Sequence, residues 1–335
     1  MQNVKVLVVG GAGYIGSLMT KLLSKKGYDV VILDNLSTGY KSFTSYGQLI
    51  EGDLANNELL DNVFSTHDFD AVFHFAALSL VSESVKHPSA YYRNNVSNTL
   101  NLLDAMKHYG VDNLIFSSTA ATYGNPEYIP IDENHPQKPI NPYGASKLMV
   151  ERILADYANA YGIRSICLRY FNACGADPDC EMGELHDPES HLIPIILQAA
   201  SGRRNSVTIF GENYPTPDGT CIRDYIHIVD LCSAHIAALN YLQNTSKVKN
   251  IGLNLGTGRG YSVNEVIDLC SQVVAKDGKT ISVNKGQKRP GDPPILVASA
   301  KEAERVLGWT AKYKDLAETI EHAWAWEKKV LEEGL

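Results

Sequence analysis

The sequence predicts an α/β protein: a doubly wound parallel sheet followed by a smaller, mixed α/β C-terminal part. Three observations predict it. Short, continuously apolar runs alternate with longer helix-like stretches through the first 170 residues, the pattern of strands buried on both faces and joined by right-handed crossovers. The first of these runs ends in a glycine-rich turn that opens a helix. After about residue 172 the alternation gives way to loop-rich sequence with scattered helical segments. At 335 residues, 44% hydrophobic and 20% charged, the chain is long enough for two fused domains with a large core. The boundaries read as 1–172 for the sheet domain and 173–335 for the second.

The buried strands read as Val4–Val9, Val30–Leu33, Ala71–Phe75, Leu114–Ser117 and Ser165–Leu168, with helices over 14–26, 88–108 and 143–161. Gly, Asp, Pro and Glu then crowd 175–190, which reads as a long ordered loop or lid. Further helices are expected near 191–202, 229–243, 262–275 and 313–332. Ser262-x-x-Glu265 and Ser299-x-x-Glu302 each spell a capping box. There are no internal repeats and no low-complexity segments.

Composition excludes several function classes. Thirty Lys and Arg against 38 Asp and Glu give a net charge of −8, which argues against nucleic acid as a partner. No apolar run approaches the roughly 18 residues of a membrane span, and Met1 leads into a strand without a charged leader or cleavage site. Cysteines 167, 174, 180, 221, 232 and 270 include no C-x-x-C pair and read as reduced thiols of a cytoplasmic protein.

The glycine turn carries the first chemistry. Gly10-Gly11-Ala12-Gly13-Tyr14-Ile15-Gly16 follows the first strand directly, and glycine there lets the backbone turn sharply while a pyrophosphate approaches the helix N-terminus. Such a turn can also be a mere tight connection, but Asp34 ends the second strand, where a carboxylate can accept from adenosine ribose hydroxyls. No Arg follows in Asn35-Leu36-Ser37-Thr38-Gly39, so a 2′-phosphate would face Asp34 unpaired, and NAD is favoured over NADP. Asn35, Ser37 and Gly39 join Gly10, Gly13, Tyr14, Ile15, Gly16 and Asp34 as cofactor candidates. Asp53-Leu54, after a short third strand, suits the adenine ring, unless Asp53 merely caps the helix beginning near Asn56.

Tyr143-Gly144-Ala145-Ser146-Lys147 sets a phenol and an ammonium one helical turn apart. Chance alone supplies about one Tyr-x-x-x-Lys in a chain of this composition, so position decides. The motif opens a helix after the fifth strand, and Ser117-Ser118-Thr119 lies at that strand's end. Ligands of open parallel sheets bind outside the strands' C-terminal ends, so Thr119 and Tyr143 can meet over one substrate. A free tyrosine, near pKa 10, is a poor base at neutral pH. A nearby Lys147 ammonium and a positive nicotinamide would favour phenolate, letting Tyr143 take a hydroxyl proton that Thr119 helps position.

These residues are similar to the extended short-chain dehydrogenase/reductase family over essentially the whole chain. Gly10 to Gly16, Phe75-Ala76-Ala77, Ser117 to Gly124, Tyr143 to Lys147, Leu168-Arg169-Tyr170-Phe171-Asn172 and Asp218 to His227 carry the likeness. The last stretch resembles the UDP-sugar epimerase branch. The resemblance implies a tightly held NAD that is not consumed and 4-epimerisation of a UDP-hexose through a transient 4-keto sugar. It places Phe75, Ala76, Ala77, Asn94 and Tyr170 in the NAD site together with Tyr143 and Lys147. It places Thr119, Tyr143, Asn172, His191, Leu192, Phe210, Arg223, Arg289 and Asp292 against the UDP-sugar; either arginine alone also suits a structural ion pair.

Some positions depart from the family pattern. Ser79 stands where some members have a lysine, and His191 replaces an asparagine; with no second ligand at helical or zinc-like spacing, it is not read as a metal ligand. Leu296 occupies the position that gates the sugar pocket, where a tyrosine resembles restriction to plain hexoses, so acetylated hexosamines are expected to fit. Ala120-Ala121 stand where a dehydratase of this fold carries Asp-Glu. A UDP-pentose or UDP-glucuronate 4-epimerase, or a non-catalytic NAD-binding protein, remain the alternatives. A homodimer through helices 88–108 and 143–161 is implied by the resemblance.

Overall fold

The computed structural model describes residues 4–245, 249–289 and 292–335. The chain runs β1 (Lys5–Val9), α1 (Tyr14–Lys25), β2 (Asp29–Asp34), β3 (Gln48–Glu51), α2 (Asn57–Thr66), β4 (Ala71–His74), α3 (Val81–Lys86), α4 (Pro88–Tyr92), α5 (Asn98–Tyr109), β5 (Asn113–Thr119), α6 (Pro142–Tyr161) and β6 (Arg164–Tyr170). It continues β7 (Asn172–Cys174), α7 (Leu192–Ser201), β8 (Val207–Phe210), β9 (Ile222–His227), α8 (Ile228–Asn244), β10 (Asn250–Leu255), β11 (Gly260–Ser262) and α9 (Val263–Ala275). The last elements are β12 (Val283–Gly286), β13 (Ile295–Leu296), α10 (Lys301–Leu307) and α11 (Leu316–Glu333).

Seven parallel strands form the main sheet in the order β10-β6-β5-β4-β1-β2-β3. The order reverses between β1 and β4, the switch point where such sheets open a ligand crevice at their C-terminal edge. Alternate residues of β1 feed two cores. Val6 and Val8 pack with α1 and α8 through Leu18, Met19, Leu231 and Leu239. Leu7 and Val9 pack with α2, α5 and α6 through Leu60, Leu102, Val150 and Leu154. Both faces are therefore covered, which explains why these strands read as unbroken apolar runs rather than alternating ones.

The seventh strand, β10, comes from beyond residue 172, and α8 covers one face of the sheet, so the large sheet draws on both halves of the chain. The second half also builds a small sheet of β11, β9, β13 and β7 and a third core where α7, α9 and α11 meet through Ile196, Val266, Cys270, Ile320 and Trp324.

Two local expectations fail. The helix expected over 88–108 is interrupted by a π turn at Arg93–Ser97 between α4 and α5; π turns widen a helix locally and gather at functional sites. The Ser262–Glu265 capping box forms in full, but Ser299–Glu302 does not, because α10 begins a residue later with Ala300 at its cap and no side-chain bond there. The Ser299 amide instead donates to Ile131 O, 2.7 Å away, in a strand-like extension.

Candidate functional site

The glycine turn is fixed by backbone packed on backbone. Gly10 has φ +81° and donates its amide to Leu33 O at 2.9 Å. A Cβ on Gly16 would stand 2.0 Å from Gly10 O, and one on Gly10 only 2.5 Å from the Ala76 amide nitrogen. A Cβ on Gly39 would fall 2.8 Å from Ala12. At Gly13 the nearest atom would be 3.6 Å away, an ordinary contact, so the chain's own packing does not require glycine there. Asp34 is buried and accepts from Ala12 N at 2.9 Å and Leu36 N at 2.8 Å. One bond on each oxygen leaves lone pairs on both for ribose hydroxyls.

Beside it, Asn35 Nδ2 donates to Asp53 Oδ2 at 2.6 Å, and Asp53 Oδ1 accepts from Ala55 N at 2.8 Å. Asp53 is not the cap of α2, since Asn56 fills that role by accepting from Leu59 N. Leu54 is buried against the α2–α5 core. Phe75 and Ala76 leave β4 with both amides donating to Val9 O, so they and Ala77 sit across the switch point from Gly10. This donor set, a cradle closed to side chains and a buried carboxylate that pairs with no guanidinium among the described residues, fits a dinucleotide with free ribose hydroxyls.

Asn94 and Asn95 occupy the π turn. Asn94 donates to Asn95 Oδ1 at 2.9 Å. Buried Asn95 also binds Leu78 N at 2.9 Å, Leu78 O at 3.0 Å and Ser146 Oγ at 3.0 Å. Asn95 thus ties the segment after β4 to α6, a positioning role that sequence reading missed. An asparagine beside Asn94, inside an otherwise helical pattern, is no signal by itself.

Tyr143 and Lys147 project from the first turns of α6, which Asn141 caps by accepting from Gly144 N at 2.8 Å. Gly144 explains how the phenol reaches the sheet: a Cβ there would meet Ala121 O at 2.3 Å, so the helix lies directly on the turn after β5. That contact brings the Tyr143 phenol close to the Thr119 hydroxyl. Thr119 is the N-cap of that turn, accepting from Ala121 N at 3.1 Å. Lys147 donates to Ser117 O at 2.8 Å, with its ammonium 4.8 Å from the centre of the Phe116 ring. Ser117 Oγ in turn shares a hydrogen bond with the Tyr170 hydroxyl.

The electrostatics differ in one respect from expectation. Burial pushes the Tyr143 phenol above its ordinary pKa, and the nearby Thr119 hydroxyl pulls it back only in part. Lys147 is pulled down to about 7 by burial, against the opposing charge of Glu151. Without a cofactor the lysine is thus itself poised near neutrality, and the phenol is not yet activated.

On the substrate side, Asn172 opens β7 opposite Tyr225 of β9, and Leu192 opens α7. Arg223 of β9 pairs with Asp292 and donates to Ile222 O at 2.8 Å. Phe210, at the end of β8, is 40% exposed, with the Arg289 guanidinium 4.0 Å over its ring. Leu296 lies opposite Arg223 in the β13–β9 register and packs beside Phe171 against Ala120, Tyr123 and Ile131, next to the Thr119 turn. Ser79 is exposed. His191 lies beside Glu184, His186 and Glu189. Their spacing within one irregular loop matches no helical or zinc-finger template.

Residues 6–252 match the family model "NAD dependent epimerase/dehydratase family". A UDP-glucose 4-epimerase of Halalkalibacterium halodurans is 49% identical, over 97% of this chain and 96% of that protein. The crystal structure of a Brucella ovis UDP-glucose 4-epimerase in complex with NAD superposes with a TM-score of 0.92 at 48% identity, covering 96% of this chain and 97% of that one. A Bifidobacterium longum UDP-glucose 4-epimerase in complex with NAD+ and UDP gives a TM-score of 0.91 at 37% identity, covering 97% and 98%.

Proposed function

The chain belongs to the NAD dependent epimerase/dehydratase family, and from that premise we propose that it is an NAD-dependent UDP-hexose 4-epimerase, interconverting UDP-galactose and UDP-glucose. The observation that carries the reading is the Thr119–Tyr143–Lys147 group, held at the C-terminal end of β5 two strands from the glycine turn of β1. Gly10, Gly13 and Gly16 would cradle the pyrophosphate and Asp34 the adenosine ribose. Asn35, Ser37, Gly39, Asp53, Leu54, Phe75, Ala76, Ala77, Asn94 and Tyr170 complete that side. A nicotinamide held by these residues would supply reversible hydride acceptance at carbon 4 of the sugar, with no net redox change.

The chain's own residues supply the rest. Tyr143 removes the 4′-hydroxyl proton and gives it back, and Thr119 donates to the same oxygen to align it. Lys147, drawn down to about 7 in the bare protein, regains its proton beside ribose oxygens and a phenolate, each of which favours the ammonium. Arg223 and Arg289 meet the diphosphate with fork-shaped donors, which a net-acidic protein must provide locally. Asn172, His191, Leu192, Phe210 and Asp292 fix the uridine and phosphate end, leaving the sugar free to present either face.

Leu296 favours a broader substrate range. It lies partly buried beside the Thr119 turn, and an isobutyl group there leaves more room than an aromatic ring for a 2-acetamido group. UDP-N-acetylglucosamine and UDP-N-acetylgalactosamine are therefore read as substrates too. The division of labour, cofactor on residues 1–172 and UDP-sugar on 173–335, is part of the same reading.

A cytoplasmic homodimer completes it. All six cysteines are free, and among the described residues no helix is long and apolar enough to cross a membrane. Helices α5 and α6 lie side by side, with Tyr157 donating to Asp104 at 2.9 Å and Lys107 4.5 Å from the Tyr161 ring, a surface that suits a bundle with a second copy. Light scattering on the purified protein tests the dimer. Incubation with UDP-galactose and no added reductant tests the function: formation of UDP-glucose supports it, and an unchanged sugar after NAD is supplied overturns it.

A further inference from the structure

The loop between β7 and α7 brings Glu184, His186, Glu189 and His191 together, one donor atom from each within 4.8 Å of the others. His191 Nδ1 is 2.5 Å from Glu184 Oε1 and 3.2 Å from Glu189 Oε1. His186 Nδ1 is 3.1 Å from Glu184 Oε1 and 3.8 Å from Glu189 Oε2. A tetrahedral ion with bonds of about 2.0–2.1 Å needs its ligands about 3.3 Å apart; the contacts here span 2.5–3.8 Å, with Glu189 meeting His191 through one carboxylate oxygen and His186 through the other.

Charge makes the second argument. The Glu184 and Glu189 side chains are only 5% and 2% exposed. Among the described residues their ion-pair partners are these two imidazoles alone. Two carboxylates so buried need two compensating positive charges: either a proton on each imidazole or one divalent cation. The two solutions differ at one atom. Glu189 Oε1 accepts from Ser190 N, His191 N and His191 Nδ1, whereas the buried Oε2 has no hydrogen-bond partner. Protons on the imidazoles leave that oxygen unserved at 3.8 Å, but a cation among the four ligands satisfies it.

We propose that Glu184, His186, Glu189 and His191 form a binding site for a divalent transition-metal ion of zinc's class. Two imidazoles and two carboxylates without a thiolate suit such an ion, and four protein ligands make the site structural rather than catalytic. It would fasten the 175–191 loop to the start of α7, where Leu192 follows directly. The cluster also rests on the glycine turn, since the Tyr14 ring meets the His186 ring edge-on at 6.1 Å and the Tyr14 hydroxyl donates to Gly175 O at 2.6 Å. The ion would thereby join the cofactor-side helix α1 to the substrate-side helix α7.

The test uses the full-length, NAD-loaded protein without an affinity tag, dialysed against a chelator and titrated with Zn2+ alone by calorimetry. About one Zn2+ per chain with submicromolar affinity is expected, together with a higher unfolding midpoint. Glu189→Gln and His186→Asn should each weaken binding at least tenfold while the retained NAD stays stoichiometric. Co2+ substituted into the wild-type protein should give a tetrahedral visible spectrum without a thiolate charge-transfer band, a readout that requires no variant to fold. Absence of stoichiometric binding overturns the proposal, as does binding that both substitutions leave unchanged. A thiolate band would do so too, by moving the ion to a cysteine.

Discussion

The second and third glycines of the phosphate-binding turn, Gly13 and Gly16, differ sharply in what a side chain there would meet. A Cβ at Gly16 would lie 2.0 Å from Gly10 O, 2.8 Å from Gly10 C and 2.8 Å from Gly11 Cα. All three are backbone atoms, so relief to an ordinary contact of about 3.4 Å requires the turn itself to move by more than 1 Å. Overpacking of this kind costs about 1–3 kcal/mol when side chains absorb it, and a rigid turn puts Gly16→Ala at or above the upper end. Each 1.4 kcal/mol is tenfold in an equilibrium, so a turn displaced at that cost should bind NAD about a hundredfold more weakly. At Gly13, by contrast, the nearest atom to a new Cβ is 3.6 Å away and φ is −81°, which alanine adopts freely. Gly13→Ala should fold and melt like the wild type, and any NAD that it loses reports direct approach of the ligand to that position. The assay is the absorbance of NAD released from denatured protein, paired with a thermal melt. Gly16→Ala that purifies with a full complement of NAD and an unchanged midpoint would refute the reasoning.

Three more outcomes follow from the same site. Tyr143→Phe should retain NAD and lose about 10²–10⁴-fold in turnover, the usual worth of a positioned acid–base; near-wild-type kcat removes Tyr143 as the base. Leu296→Tyr should lower kcat/KM for UDP-N-acetylgalactosamine roughly 10–100-fold while sparing UDP-galactose, and equal effects on both sugars would show that Leu296 does not gate the acetamido group. In cofactor-stripped protein, Lys147 sheds its proton near pH 7 when folded but near 10.4 when unfolded. Between those values the unfolded chain holds more protons, so stability should rise with pH relative to Lys147→Met. Parallel denaturation midpoints for the two proteins from pH 7 to 9.5 would contradict the buried, neutral lysine.

What the sequence disclosed follows from how local each signal is. Unbroken apolar runs such as Val6–Val9 disclosed the parallel sheet, because burial on both faces leaves no polar alternation. The phosphate turn and the Tyr143–Lys147 helix were legible because glycine and helical spacing act over a few residues. Strand β10 escaped notice because its pairing with β6 joins Asn250 to Ser165 across the whole intervening segment. The π turn at Arg93–Ser97 left no mark in a pattern that reads as continuous helix. Asn95 functions only through contacts to Leu78 and Ser146, a geometry set by tertiary packing. The Glu184–His191 cluster was hidden for a similar reason, since an irregular loop has no period from which convergence can be read.

The central claim is that carbon 4 is inverted by hydride that leaves and returns, not by exchange of a carbon-bound proton with solvent. The most direct measurement follows UDP-galactose by NMR in D2O, with the protein as purified and no NAD added. The account predicts UDP-glucose that carries protium at carbon 4 at every stage of the approach to equilibrium. Deuterium appearing at carbon 4 during the conversion would contradict it, because the inverted hydrogen would then have come from water through an acid–base route.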